Sequence, residues 1–169
     1  MFAEVKLTSI GIEAILGDYF VRGQIRSRGD MLVFLNDRNW SFLAIQNGEL
    51  FPLYTDRRFS AMKPATTVAN KGNLEILSVL QEKDAENVQA AFSTRPVRFI
   101  LGHFVVQGDL HVSEDSPNED ALDDMHDFFA VTNGSIFPAR SVATAPTEKV
   151  PLLFVSRTAV QMYRVQEAD

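Results

Sequence analysis

The sequence predicts a mostly β chain made of two similar small barrel or sheet units in tandem, joined by a short helix. The first observation behind this is an internal repeat. Phe42-Leu-Ala-Ile-Gln-Asn-Gly-Glu-Leu-Phe-Pro52 aligns with Phe128-Phe-Ala-Val-Thr-Asn-Gly-Ser-Ile-Phe-Pro138, 86 residues later, with six of eleven positions identical. The second is that two flanking blocks follow at nearly the same offset. Gly17 to Ile25 falls on Gly102 to Leu110, and Val68 to Ile76 falls on Phe154 to Met162. The third is composition: the runs between Gly, Pro and Asn positions are short and rich in β-branched and aromatic residues, as strands are.

Each element follows in chain order. Residues 12–27 and 97–112 read as long strands, with Gly23 and Gly108 in mid-strand marking a bulge or sharp bend. Met31 to Asn36 carries apolar residues at helical spacing, and Ala121 to Met125 is its weaker counterpart. Phe42–Gln46 and Glu49–Leu53 flank Asn47-Gly48, while Phe128–Thr132 and Ser135–Ala139 flank Asn133-Gly134. Asn-Gly suits a type I′ turn, so each set is expected to be a hairpin, with Pro52 and Pro138 ending a strand or lying on an edge. Strands near 65–70 and 73–80, then 151–156 and 159–165, are expected to form a second hairpin in each unit. Between the units, Asp84 to Phe92 reads as a connector helix capped by Asp84 and stopped by Thr94 and Pro96.

The resulting division is a first β-rich repeat at 1–80, a helical connector at 81–96 and a second repeat at 97–169. Units of this size bury modest cores, so they are expected to lean on each other or on another chain. Thirteen Phe residues supply core side chains, and the absence of Cys excludes disulfides and thiolate chemistry. No basic-then-apolar leader and no 18-residue apolar run is present, so the expectation is a cytoplasmic protein with no membrane span. Charge is uneven. Residues 1–80 carry nine basic and eight acidic side chains, whereas 99–169 carry four and eleven. Such complementary halves are expected to attract within or between chains.

Five strands with a bent strand near the start and a short helix in each unit suggest SH3-like or Sm-like barrels. The segment Gly23 to Leu43, with Phe34-Leu-Asn36 inside it, resembles an uncharacterised bacterial domain family of unknown function, here in tandem; that resemblance implies no activity. Ala69-Asn-Lys-Gly-Asn-Leu-Glu-Ile76 is more weakly similar to the second motif of Sm-like RNA-binding barrels, where an apolar strand meets a basic-Gly-Asn turn. That likeness implies a base-binding role for Lys71 and Asn73. The second copy has Arg157-Thr-Ala instead, without the Gly or the Asn.

No phosphate loop, nucleophile elbow or zinc-protease helix is present, no cofactor is expected, and catalysis is not the expected role. Arg22, Arg26 and Arg28 share parity on a strand and, with Trp40, form a candidate face for an anion or single-stranded nucleic acid. The overall acidity argues against nucleic acid as the partner. Asp123, Asp124, His126 and Asp127 form a candidate metal cluster, without EF-hand spacing. The reading that absorbs most of the sequence is a protein-interaction or assembly module acting in a homo-oligomer or protein complex, with an Sm-like RNA binder and a small-ligand binder as alternatives.

Overall fold

The computed structural model describes residues 7–27, 29–54, 62–86 and 93–167. Ten strands form: β1 (Thr8–Leu16), β2 (Tyr19–Ser27), β3 (Phe42–Pro52), β4 (Met62–Asn70), β5 (Ile76–Val79), β6 (Ser93–Leu101), β7 (Phe104–Val112), β8 (Phe128–Pro138), β9 (Lys149–Ser156) and β10 (Val160–Val165). Helices α1 (Met31–Asn36) and α2 (Glu82–Ala85) are short, and single 3₁₀ turns span Lys71–Asn73, Asn118–Asp120 and Arg157–Ala159. Among the described residues, no helix is long and apolar enough to cross a membrane.

All ten strands lie in one antiparallel sheet, in the order β10-β6-β7-β8-β9-β5-β1-β2-β3-β4. In each half the fifth strand returns beside the first. The registers also correspond between halves. Tyr19 opposite Pro52 matches Phe104 opposite Pro138. Leu43 opposite Ala69 matches Phe129 opposite Val155, and Ile15 opposite Ile76 matches Ile100 opposite Met162.

Several local expectations are corrected. The strands expected at 12–27 and 97–112 are each folded back into two, β1–β2 and β6–β7, at two-residue turns. Gly17-Asp18 is such a turn, and Gly17 sits at φ 56°, which glycine tolerates without a Cβ penalty. The Asn-Gly pairs are not hairpin turns. β3 runs straight through Asn47-Gly48, and β8 through Asn133-Gly134. A hairpin needs its flanking runs to pair with each other, whereas Phe42–Ile45 pair with β4 and Glu49–Pro52 pair with β2. Asn47 and Asn133 take left-handed φ of 50° and 51° and are skipped as bulges.

Gly23 and Gly108 also stand at register shifts, as expected. A Cβ on Gly23 would lie 2.6 Å from Ile45 Cγ2 and 2.7 Å from the Gln46 carbonyl oxygen, so the close approach of β2 and β3 at this register shift requires glycine. The expected second hairpins are absent, because β4 and β5 are joined by a 3₁₀ turn but pair with other strands, as do β9 and β10. Ala121–Met125 forms turns rather than a helix. In the connector, α2 begins after Gln81, Asp84 is inside it rather than its cap, and Val88 and Phe92 lie outside the described residues. Pro52 and Pro138 end their strands.

The core consists of two apolar clusters that share β8 and β9. Phe129, Val131, Leu153 and Val155 join Val97, Phe99 and Phe104 in one. Phe128, Ala130, Leu152 and Phe154, from the opposite face of the same strands, join Ile12, Ile25, Leu35 and Leu77 in the other. Burial on both faces explains why Leu152-Leu-Phe-Val155 is continuously apolar instead of alternating.

Candidate functional site

The sequence halves meet along a seam where β5 pairs with β9: Ile76 opposite Val155, Leu77 opposite Phe154, Ser78 opposite Leu153 and Val79 opposite Leu152. β5 is central because all four of its residues are buried, and it is flanked by β1 on one side and β9 on the other. The Ser156 N–H extends the seam by donating to the Glu75 carbonyl at 2.9 Å.

Hydrogen bonds fasten the seam at three further places, two through side chains and one through the main chain. Asn36, at the end of α1, donates from Nδ2 to the Phe128 carbonyl (3.0 Å) and accepts the Phe128 N–H on Oδ1 (2.8 Å). Glu13 on β1 is 1% exposed and accepts the Thr147 N–H and hydroxyl, both at 2.7 Å. Its Oε1 also accepts from Arg22 Nε and Nη2 at 3.1 and 2.9 Å. A charge this buried is tolerable only because it is paired and hydrogen-bonded. At the third place, the Ala143 N–H donates to the Leu53 carbonyl at 2.6 Å.

Beside the seam lies a cleft of 860 Å³, lined from both halves by Gly17, Asp18, Glu75, His103, Thr158 and Gln161 among others. His103 Nε2 is 4.0 Å from Asp18 Oδ1, and its ring lies 5.3 Å from that of Tyr54. Arg140 caps the same tyrosine ring at 3.7 Å. Burial pushes the Glu75 carboxyl above its ordinary value, against the opposing pull of His103 and a backbone hydrogen bond from Gly17. The Ser156 and Thr158 hydroxyls are bonded to each other at 3.0 Å. The cleft therefore places an imidazole beside the carboxylate of Asp18, with Glu75 in the same lining.

Of the residues singled out from sequence, Trp40, Lys71 and Asp127 line one concavity, and the other described ones do not join them. Arg22 and Arg26 do share the exposed side of β2, but Arg22 is engaged by Glu13. Arg28 lies outside the described residues. Trp40 is exposed and lines a second concavity, of 380 Å³, together with Lys71. Lys71 is buried, its Nζ donating to the carbonyls of Phe34, Leu35 and Asp37 at 3.1, 3.2 and 2.8 Å. It thus closes the C-terminal end of α1. Burial lowers its pKa, with Asp37 and Asp127 pulling the other way. Asn73 is exposed and lines the cleft, whereas Arg22 and Arg26 do not line it.

Asp123, Asp124 and His126 are exposed, and Asp127 reaches Arg38 at 3.4 Å. Among the described residues, no three His, Asp or Glu side chains are grouped to hold a metal ion. Sequence reasoning missed Glu13, Asn36, Thr147, Asp18, Glu75 and His103. Only Asn36 had a signal, as the one polar residue closing an apolar helix. No family model matches the chain, and no curated protein or solved structure does either.

Proposed function

We propose that this chain is a non-enzymatic assembly or protein-interaction module built from a duplicated small β-barrel unit. The seam carries this reading. It joins the fifth strand of one half to the fourth strand of the other, and leaves a fourth strand (β4) and a fifth strand (β10) at the ends of the sheet, unpaired on their outer edges among the described residues. The corresponding registers of the two halves support the duplication. The exposed apolar side chains Phe42, Met62, Val68 and Met162 cluster on or beside those open edges. Unpaired edges with apolar side chains are templates for further pairing.

An Sm-like RNA-binding role has less behind it. The Lys71 ammonium is spent on three carbonyls, and the Arg22 guanidinium on Glu13. The test of the assembly reading is light scattering coupled to size exclusion, over a wide concentration range and at two salt concentrations. Association above the mass of one chain, 18.9 kDa, is the expected result. A monomer at every concentration removes self-assembly.

A further inference from the structure

We propose that chains join edge to edge, β10 of one copy adding to β4 of the next in the register of the internal seam. The proposal rests on the assembly reading above and names its partner: a second copy of this chain. Shifting the seam by the repeat offset of 86 sets the pairs. Ile76 to Val79 map onto Met162 to Val165, and Leu152 to Val155 map onto Thr66 to Ala69. The intermolecular pairs are then Met162 with Ala69, Tyr163 with Val68, Arg164 with Thr67 and Val165 with Thr66.

Both sides of this joint are already formed. At the internal seam Phe128 (5% exposed) and Phe154 (0%) insert among Leu35, Leu74 and Leu77. Their counterparts on the open edge, Phe42 and Val68, are bare at 57% and 61%. On β10 a groove of 510 Å³ is lined by Leu122, Asp123, Arg157, Val160, Met162 and Tyr163. The positions 86 residues earlier are Asn36, Asp37, Lys71, Leu74, Ile76 and Leu77, the surface on which β8 and β9 sit. One edge therefore bears the apolar side chains, and the other bears the groove that receives their equivalents within the chain.

The outer joint differs from the inner one in two respects that set its strength. Lys63 and Pro64 blunt β4, but both precede the stretch Thr66–Ala69, just as Pro151 precedes Leu152 at the seam. Arg164 stands opposite Arg98, where the seam has Ser78 opposite Glu13, and Leu122 occupies the place of the Asn36 clamp. The outer joint is accordingly weaker than the inner one, and association depends on concentration. Because the two edges are unlike, the contact is head-to-tail and builds rings or filaments rather than a two-fold dimer.

The chain lacks cysteine, so introduced pairs are unambiguous. Val68→Cys and Tyr163→Cys chains are mixed and oxidised, as are Thr67→Cys and Arg164→Cys. Two neighbouring pairs are used because hydrogen-bonded and closer non-hydrogen-bonded pairs alternate along an antiparallel ladder. Lys63→Cys with Tyr163→Cys is the off-register control. The expected result is at least tenfold more mixed disulfide from one of the on-register pairs than from the control. A Val68→Asp, Met162→Asp double variant should return to monomer with an unchanged melting temperature, since both side chains are exposed. Wild-type association without on-register cross-linking, or Val68→Cys chains that link to each other, overturns the register but leaves the assembly reading standing. A wild-type chain that stays monomeric at all concentrations overturns both.

Discussion

The side chain of Asn36 pairs with the main chain of Phe128 as a neighbouring strand would, donating to its carbonyl and accepting from its N–H at 3.0 and 2.8 Å. The two residues are 92 positions apart and belong to opposite halves, so this contact reports on their docking. Asn36→Ala leaves two partly buried backbone groups without that partner and should lower unfolding stability by about 2 kcal/mol. Urea midpoints with an unchanged m-value are the measurement. A loss below a few tenths would mean that water replaces the side chain at no cost.

The close approach of β2 and β3 at their register shift depends on a missing side chain. Gly23→Ala places a methyl group against Ile45 and the Gln46 carbonyl, and should cost several kcal/mol. Gly11→Ala in β1 meets open space and should be neutral or slightly stabilising. Thermal melts of the two variants side by side test whether crowding, rather than glycine loss in general, sets the difference.

Lys71→Met keeps the buried stem of the side chain and removes the ammonium that three carbonyls share. The lost charge-assisted bonds outweigh the relief of desolvation, giving an expected destabilisation of about 1–3 kcal/mol. Hydrogen exchange should speed up in α1 before it does in the central strands. If Lys71 served a ligand instead, the variant would bind less without this loosening of the helix.

Glu75 supplies a pH signature. Its carboxyl is raised above the ordinary 4.5 by burial, so the folded chain holds that proton more tightly than the unfolded chain. Its contribution to stability is therefore present below pH 4.5 and is lost as pH rises through the raised folded value. Glu75→Gln should flatten the fall in stability that sets in above pH 4.5 and leave the acid limb unchanged. An unaltered profile in the variant would show that Glu75 ionises freely in the fold.

Much of the fold was legible because strands announce themselves locally. The β-branched runs, the mid-strand glycines and the helical spacing of Met31 to Asn36 all appear where expected. Asn47-Gly48 misled because its local preference, left-handed φ, suits a bulge as well as a turn. Which of the two forms depends on the ladders that the flanking residues join, and those partners lie elsewhere in the chain. The interface residues were harder to see for the same reason. Glu13 meets Thr147 across 134 positions, and nothing near either residue in sequence marks the pair.

The amino-acid sequence alone determined that the chain is rich in strands, that its segments recur at a near-constant offset, and that a short helix lies at Met31 to Asn36. Only the tertiary structure decided that the ten described strands share one sheet, that β9 rather than β4 pairs with β5, and that β4 and β10 stand at its ends. Strand propensity and side-chain alternation act over a few neighbouring residues, whereas strand partners are chosen by burying whole faces at once. Equivalent positions such as Val68 and Phe154 therefore reach opposite fates, one bare at an edge and the other enclosed in an apolar cluster.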